Sequence, residues 1–344
     1  MIHTPNAKFQ QLTAQNMKAP MVAGIPGYDP NDDVDYIRKN LKKDKFKLFE
    51  ILFLKSINQR RELEVAFKKK EKKELFTFIK SYLKGSILDL IAFCYMQPLD
   101  ADCYIIKKAL RAGDNVAITD VLCFRSNSEL IALNERYVEL FKKDLDEDLR
   151  AEFTGDHLKY LLAVVKAERV KPEEKINFEE IKQDLADLLR ANSLEDTDFT
   201  NIITKRSYKE LRGTLKGYEK QKGTNILTPL YKQCTPKCYE AMEVTVRNVY
   251  YGRQHALAIR LHESFVRRNE MQSIRLYASR NTEDLQQILL YYHATYKHSI
   301  IEDIERYIGN PDIRMAFIIL TKGNGVPLRP GSCAKVGSPH VSNG

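Results

Sequence analysis

Long apolar runs are missing from this 344-residue sequence: no stretch approaches the roughly 18 consecutive apolar residues of a bilayer-spanning helix. Positions 1–30 contain scattered apolar residues but no continuous apolar segment of the kind found in secretory signals. The apolar–polar alternation typical of strands is also scarce. These absences predict a helical, cytoplasmic protein whose contact with a membrane would be peripheral.

Motifs of the common enzyme classes are absent as well. The sequence has no phosphate-cradling GxxxxGK[ST], no GxSxG and no HExxH. Its histidines are scattered rather than grouped with cysteines or carboxylates at ligand spacing, so we expect structural roles for them. We therefore do not expect an enzyme.

Cysteine is sparse, and the chain lacks the features of a secreted disulfide scaffold. In a long sequence without a secretory signal, reduced and mostly buried thiols are the favoured interpretation. Cys234 and Cys238 lie four positions apart, but without a second pair or a suitably spaced histidine they make a poor zinc site. The six cysteines are Cys94, Cys103, Cys123, Cys234, Cys238 and Cys333.

Positive charge is in excess, with a net charge of +9 and a pI near 9.0. Nucleic acid, an anionic membrane surface and acidic cytoskeletal protein are the partners that such a charge could serve. No recognisable nucleic-acid-binding module accompanies the basic runs, so nucleic acid is the least favoured partner. Residues 33–98 carry 16 Lys+Arg and 9 Asp+Glu, which places most of the excess in this one segment.

The sequence repeats itself four times. A basic residue followed by a small polar one ends an apolar helix at Ser56, Ser126, Ser207 and Asn281, with spacings of 70, 81 and 74 residues. Eleven positions after each origin stands an aromatic residue, and 29 positions after it comes a turn. The aromatics are Phe67, Tyr137, Tyr218 and Tyr292, and the turns begin at Lys84, Thr154, Thr235 and Gly309. Internal repetition of this kind decides the fold.

Each copy has the three-four spacing of helices, which predicts an all-α fold with five helices per copy. Polar, proline-containing residues 166–175 account for the longer middle spacing and indicate a linker. Pro/Gly/Ser-rich ends predict disordered tails. The predicted units are a tail at 1–30, repeats at 31–98 and 99–167, a linker at 168–175, repeats at 176–250 and 251–325, and a tail at 326–344.

The Arg-Ser helix ends, the aromatic eleven positions later and the Thr154-Gly155-Asp156 turn resemble the annexins, over roughly residues 31–325. The resemblance implies four five-helix repeats that pack as two halves around a polar axis. It also implies calcium-dependent binding to phospholipid. In annexins, a Lys-Gly-x-Gly-Thr loop between the first two helices and an acid about 40 positions later hold the ion.

Three of the four copies lack these calcium ligands. The first has no glycine in loop 39–45 and Tyr82 at the closing position, the third has Gln233 there, and the fourth has Tyr307. A neutral closing residue supplies no bidentate carboxylate, and basic loop residues repel a cation. The sequence therefore predicts weak or lost calcium dependence.

Only the second copy keeps part of the pattern. There the candidate calcium ligands, for one or two weak sites at most, are Leu110, Ala112, Gly113 and Glu152. The loop is about two residues short of the annexin pattern. The alternative, which the sequence leaves open, is that Gly113 only caps a helix and Glu152 is a surface acid at a helix end.

The axial charges implied by the annexin resemblance are Asp100, Arg125, Asp120 and Arg275. We expect Asp100 to pair with Arg125, and Asp120 with Arg275, because buried charges must be paired. Their expected role is to fix the packing of the two halves rather than to conduct ions.

Basic residues occupy two of the loops that face the membrane in an annexin. These are Lys42, Lys43 and Lys45 in the first copy, and Arg267 and Arg268 in the fourth, the latter beside Phe265 and Val266. We hypothesise that they replace calcium in attachment to anionic phospholipid. The alternative is a cytoskeletal structural protein similar to the alpha-giardins, in which the same clusters dock on tubulin or on flagellar or disc structures.

Overall fold

A computed structural model describes residue 22 and residues 24–170, 175–190 and 199–323. Every regular element in these ranges is a helix, and the twenty helices follow one another in four sets of five. The predicted all-α fold is confirmed. Most of the predicted N-terminal tail, part of the predicted linker and the predicted tail at 326–344 lie outside the described residues.

Helix lengths recur from one repeat to the next, and the third helix has 15 residues in each of the first three repeats. The first repeat contains α1 (Pro30–Asn40), α2 (Lys45–Phe53), α3 (Ile57–Glu71), α4 (Leu75–Lys80) and α5 (Ile87–Tyr95). The second contains α6 (Pro98–Ala112), α7 (Asn115–Leu122), α8 (Asn127–Phe141), α9 (Leu145–Glu152) and α10 (Gly155–Val165). The third contains α11 (Phe178–Arg190), α12 (Phe199–Lys205), α13 (Tyr208–Lys222), α14 (Leu227–Gln233) and α15 (Pro236–Tyr251). The fourth contains α16 (Arg253–Val266), α17 (Glu270–Arg280), α18 (Leu285–Tyr296), α19 (Ile300–Tyr307) and α20 (Pro311–Lys322).

The third helix begins at a capping box in the first three repeats. Ser56, Ser126 and Ser207 are its N-caps, and each serine oxygen accepts the N–H of the residue three positions on. A side-chain oxygen of that residue in turn accepts the serine N–H, so two backbone donors that lack helical partners are satisfied. Three of the four repeat origins found in the sequence are therefore helix starts.

The first and third helices of each repeat pack side by side, which buries the aromatic residue of the repeat pattern. Phe67, Tyr137 and Tyr292 are fully buried, and Tyr218 is 7% exposed. None of the five described cysteines forms a disulfide, and four of them are buried, as the sequence predicts.

Second and fifth helices join the repeats into two halves. Helices α2 and α5 of the first repeat pack against α20 and α17 of the fourth, while α7 and α10 of the second pack against α15 and α12 of the third. The halves meet where α17 touches α6 and α7, and where α16 touches α15. None of the described helices is both long and apolar enough to cross a membrane.

Candidate functional site

The loops that join the first two helices of each repeat are the candidate binding loops. Those of the first, second and fourth repeats lie within the described residues, whereas residues 191–198 of the third do not. Our interpretation of the third loop, with Gln233 at its closing position, therefore stays a prediction.

In the second repeat the loop is reduced to two residues between α6 and α7. Gly113 is the C-cap of α6 in the left-handed conformation (φ 65°), and its N–H donates to the carbonyl oxygens of Ala109 and Leu110. Asp114 is the N-cap of α7, where its carboxylate accepts the N–H of Ala117 at 3.0 Å. The C-cap role that the sequence left open for Gly113 is thus present, and it engages the carbonyl of Leu110, one of the candidate calcium ligands.

Glu152, the candidate closing acid of this repeat, is the last residue of α9 and is exposed. No hydrogen bond or ion pair within the described chain occupies its carboxylate. The second repeat therefore offers one exposed carboxylate and a short, capped loop, which the exposed Ala112 directly precedes.

In the first repeat the loop and the closing position meet. The Lys42 ammonium lies 5.4 Å from the centroid of the Tyr82 ring, the residue in the place of the closing acid. A cation over an aromatic face is attracted by the ring quadrupole. In this repeat the loop and the closing residue therefore still lie close together, but the positive charge between them is that of a lysine side chain rather than of a calcium ion.

The other two basic residues of this loop differ from one another. Lys45 forms an ion pair with Asp312 at the start of α20, with a nitrogen–oxygen distance of 2.9 Å. Lys43 is exposed and has no ion pair with any described residue. Lys43 is consequently the freer cation of the pair.

In the fourth repeat the loop spans Arg267 to Asn269. Arg268 is exposed, adopts a left-handed conformation (φ 53°) and has no carboxylate partner among the described residues. Arg267 lies 3.9 Å from Glu240 and 4.0 Å from Glu263. Val266 is 49% exposed, but Phe265 is fully buried and cannot contribute to a surface.

The axial charges pair differently from the prediction. Asp120 binds Arg260 of α16, with an oxygen–nitrogen distance of 2.7 Å, and accepts a second hydrogen bond from Gln272 at 2.9 Å. Arg275 instead binds Asp114 at 3.0 Å. The predicted Asp120–Arg275 pair was wrong because Arg260, on a neighbouring helix, takes the Asp120 carboxylate.

The prediction for Asp100 was also wrong. Arg125 pairs with Asp102, and Asp100 binds Arg136 at 2.6 Å. Successive helical residues are rotated by about 100°, so positions two apart face nearly opposite directions. Asp102 therefore faces the axis, where it lines one cavity together with Asp120, Arg125, Arg275 and Arg280.

Glu129 joins the end of this network. It closes the capping box of α8 and also binds Arg253 of the fourth repeat at 2.9 Å. Burial opposes its ionisation, but the Ser126 N–H and the charges of Arg253 and Arg125 hold the pKa of Glu129 at about 2. Ion pairs thus connect the second repeat to the fourth across the axis.

Comparison with known proteins agrees with this architecture. The annexin family model matches residues 101–164, which fall within the second repeat. The chain is 26% identical to human annexin A13 over 305 residues, 86% of this chain and 96% of that protein. Chicken annexin V superposes with a TM-score of 0.80 at 21% identity, covering 89% of this chain and 99% of the other. Calcium-bound alpha-1 giardin superposes with a TM-score of 0.67 at 18% identity, covering 85% and 99%.

In sequence and in fold, the chain is similar to the annexins. Annexins generally bind phospholipid in a calcium-dependent manner and are binding proteins rather than enzymes. The repeat that the family model matches is the one that keeps a glycine and an acid at the predicted calcium-binding positions.

Several residues of the axis were missed in the sequence. Arg260 gave a usable signal in the sequence, since it interrupts the apolar run of residues 256–261. In the structure its side chain is only 2% exposed. Asp114 gave none, because a loop aspartate that caps a helix looks the same whether or not it also binds a distant arginine. The structure shows it doing both.

Proposed function

We propose that this protein attaches peripherally to anionic phospholipid through the basic loops of its first and fourth repeats, with calcium contributing through the second repeat at most. The observation that carries the proposal is the position of Lys42 over Tyr82. A fixed lysine charge there opposes a bound cation. The same charge favours lipid phosphate without an ion as the bridge.

The charge available to a surface comes mainly from Lys43 and Arg268. Both are exposed, and neither has an ion pair with a described residue. Each Lys or Arg near an anionic bilayer contributes roughly 1 kcal/mol, within about 8 Å at physiological salt. Lys42 adds to them, whereas the ion pair with Asp312 reduces the contribution of Lys45.

Exposed apolar side chains stand next to these charges. Phe46 is 47% exposed beside Lys45, and Val266 is 49% exposed beside Arg267. A basic surface that also presents apolar groups suits the boundary between lipid head groups and acyl chains. From the sequence, we named Val266 as an apolar neighbour of the basic loops but not Phe46, which lies between Lys45 and Lys47.

Sedimentation with phosphatidylserine-containing vesicles in the presence of a calcium chelator tests the proposal. We expect binding at low salt that declines as salt increases, and no binding to neutral phosphatidylcholine vesicles. The variant Lys43→Ala/Arg268→Ala should bind more weakly by roughly 2 kcal/mol. The matched control is Lys69→Ala/Lys73→Ala, which removes two positive charges from exposed residues, one in the last turn of α3 and one just after that helix. This control should bind like the wild type.

Two results would contradict this proposal. Absence of vesicle binding at low salt would exclude calcium-independent attachment, and equal losses in the two variants would exclude the loops as the binding surface. Co-sedimentation with microtubules in the same buffers separates the membrane role from the cytoskeletal one. Binding to microtubules alone would favour tubulin as the acidic partner.

A further inference from the structure

A cluster of three metal-binding side chains lies where the second repeat meets the third. The carboxylate of Asp156 and the thiol sulfurs of Cys234 and Cys238 all lie within 4.8 Å of one another. No other group of three such side chains is present in the described part of the chain. The cluster is separate from the candidate binding loops and from the axial charges.

Three helix ends assemble this cluster. Cys234 follows the last residue of α14, Cys238 lies in the first turn of α15, and Asp156 lies in the first turn of α10. The N-terminal ends of α10 and α15 carry partial positive charge, which stabilises a carboxylate and a thiolate placed there. Helix packing between α10 and α15 brings the two repeats together at this point.

Thr235 holds Asp156 in position. The Asp156 carboxylate accepts the Thr235 N–H at 2.8 Å and the Thr235 hydroxyl at 2.7 Å. It also accepts the N–H of His157 at 2.7 Å. Outer hydrogen bonds of this kind orient a metal-ligating carboxylate. Oδ1 accepts both the His157 N–H and the Thr235 hydroxyl, whereas Oδ2 accepts the Thr235 N–H and keeps a lone pair for a metal ion.

We propose that Asp156, Cys234 and Cys238 bind a zinc-like divalent cation. Two thiolates with one carboxylate suit a borderline-soft, tetrahedral ion, and the spacing of four between the cysteines is within the range found in zinc sites. A water molecule would complete the fourth position. Because Cys234 and Asp156 are only partly buried, the ion can enter from the surface, while Cys238 is fully buried.

Binding requires both thiols to lose their protons. In the metal-free protein, hydrogen bonding with Cys234, burial and the neighbouring Asp156 raise the pKa of the Cys238 thiol. The cation replaces those protons, which pass to solvent, so the affinity should increase with pH. Calcium should not compete, because it prefers oxygen ligands.

Cobalt titration of the full chain tests the proposal. The protein is kept reduced with a thiol-free reductant, freed of metal with a chelator and titrated with Co²⁺. We expect one equivalent to produce the thiolate-to-metal absorption and the visible bands of a tetrahedral site. Zinc should then displace the cobalt, since it binds such ligands more tightly, whereas excess calcium should not.

Matched variants assign the ligands. Cys234→Ser changes a partly exposed residue and should abolish the thiolate absorption or halve it, and Asp156→Asn should weaken binding at least about tenfold. Cys123→Ala, a buried cysteine outside the cluster, should bind cobalt like the wild type. The proposal is wrong if the wild type gives no thiolate absorption at one equivalent, or if Cys234→Ser keeps the full signal.

Discussion

A buried aspartate with two cationic neighbours recurs in the second and fourth repeats. In the second, Asp148 binds Lys107 at 2.5 Å and Lys143 at 3.1 Å, and accepts the Tyr137 hydroxyl at 2.6 Å. Asp303 is its counterpart in the fourth repeat, 22 residues after the origin in both cases. It accepts the Tyr292 hydroxyl.

Histidines replace the lysines in the fourth repeat. His262 and His298 each have a ring nitrogen 3.0 Å from Asp303, and they occupy the repeat positions of Lys107 and Lys143. In the first repeat the positions of Lys107 and Asp148 hold Ile37 and Phe78 instead. Histidine is the side chain whose ordinary charge change falls near neutral pH, so the cluster in the fourth repeat is the candidate for a pH-dependent contribution to stability.

The stability of the fourth repeat should therefore depend on pH. The Asp303 carboxylate raises the pKa of His298 above its ordinary 6.5, and its hydrogen bond partners lower the pKa of Asp303 despite burial. The contribution of His298 is complete below its unfolded pKa and is lost as the pH rises through its folded pKa. We expect the free energy of unfolding to fall by up to about 1 kcal/mol from pH 6 to pH 9.

Denaturant unfolding at each pH measures this effect. His298→Gln should remove the decline, while His298→Lys, which restores the residue type of position 143, should keep the stabilisation at high pH. A decline of the same size in His298→Gln would show that other groups cause it. Asp303 has the opposite pH dependence: its contribution to the free energy of unfolding is lost as the pH falls through its lowered pKa.

The predicted calcium site of the second repeat depends on Glu152. If calorimetry detects calcium binding, Glu152→Gln should abolish most of it, because an amide cannot supply two carboxylate oxygens. Glu147→Gln is the matched control, since Glu147 is an exposed acid in the same helix. Unchanged binding in Glu152→Gln would remove this residue from the site.

At the scale of helices, local sequence chemistry was a good guide. All four predicted turns precede the fifth helix of a repeat, because each places Gly, Pro or a polar residue where the chain must reverse. The fourth origin is the exception. Asn281 is buried and accepts a hydrogen bond from Arg60 at 3.2 Å, and α18 starts only after Asp284.

Contacts between distant segments could not be predicted in the same way. Asp120 and Arg260 are 140 residues apart, and Asp156 and Cys234 are 78 apart, so neither pair has a sequence spacing to reveal it. An error of two residues was enough to place Asp100 rather than Asp102 in the axis. Knowledge of which helices are adjacent resolves both problems.

At the scale of the whole molecule, the axial network is where the two halves meet. Asp120 and Asp114 of the second repeat bind Arg260 and Arg275 of the fourth. Arg260 also binds Glu240 of the third repeat at 2.7 Å. One buried arginine thus contacts carboxylates from two other repeats, which supports a structural rather than an ion-conducting role.

Arg260→Met should consequently destabilise the protein by about 3–5 kcal/mol, because it leaves the Asp120 carboxylate buried without its cation. Arg136→Met is the control: its partner Asp100 is in the same repeat and both side chains are partly exposed, so the loss should stay below about 1 kcal/mol. Denaturant unfolding of both variants provides the comparison. Adding Asp120→Leu to Arg260→Met should recover part of the loss, since it removes the unpaired charge. Equal losses in the two single variants would mean that the axial pair holds the halves no more strongly than a surface ion pair does.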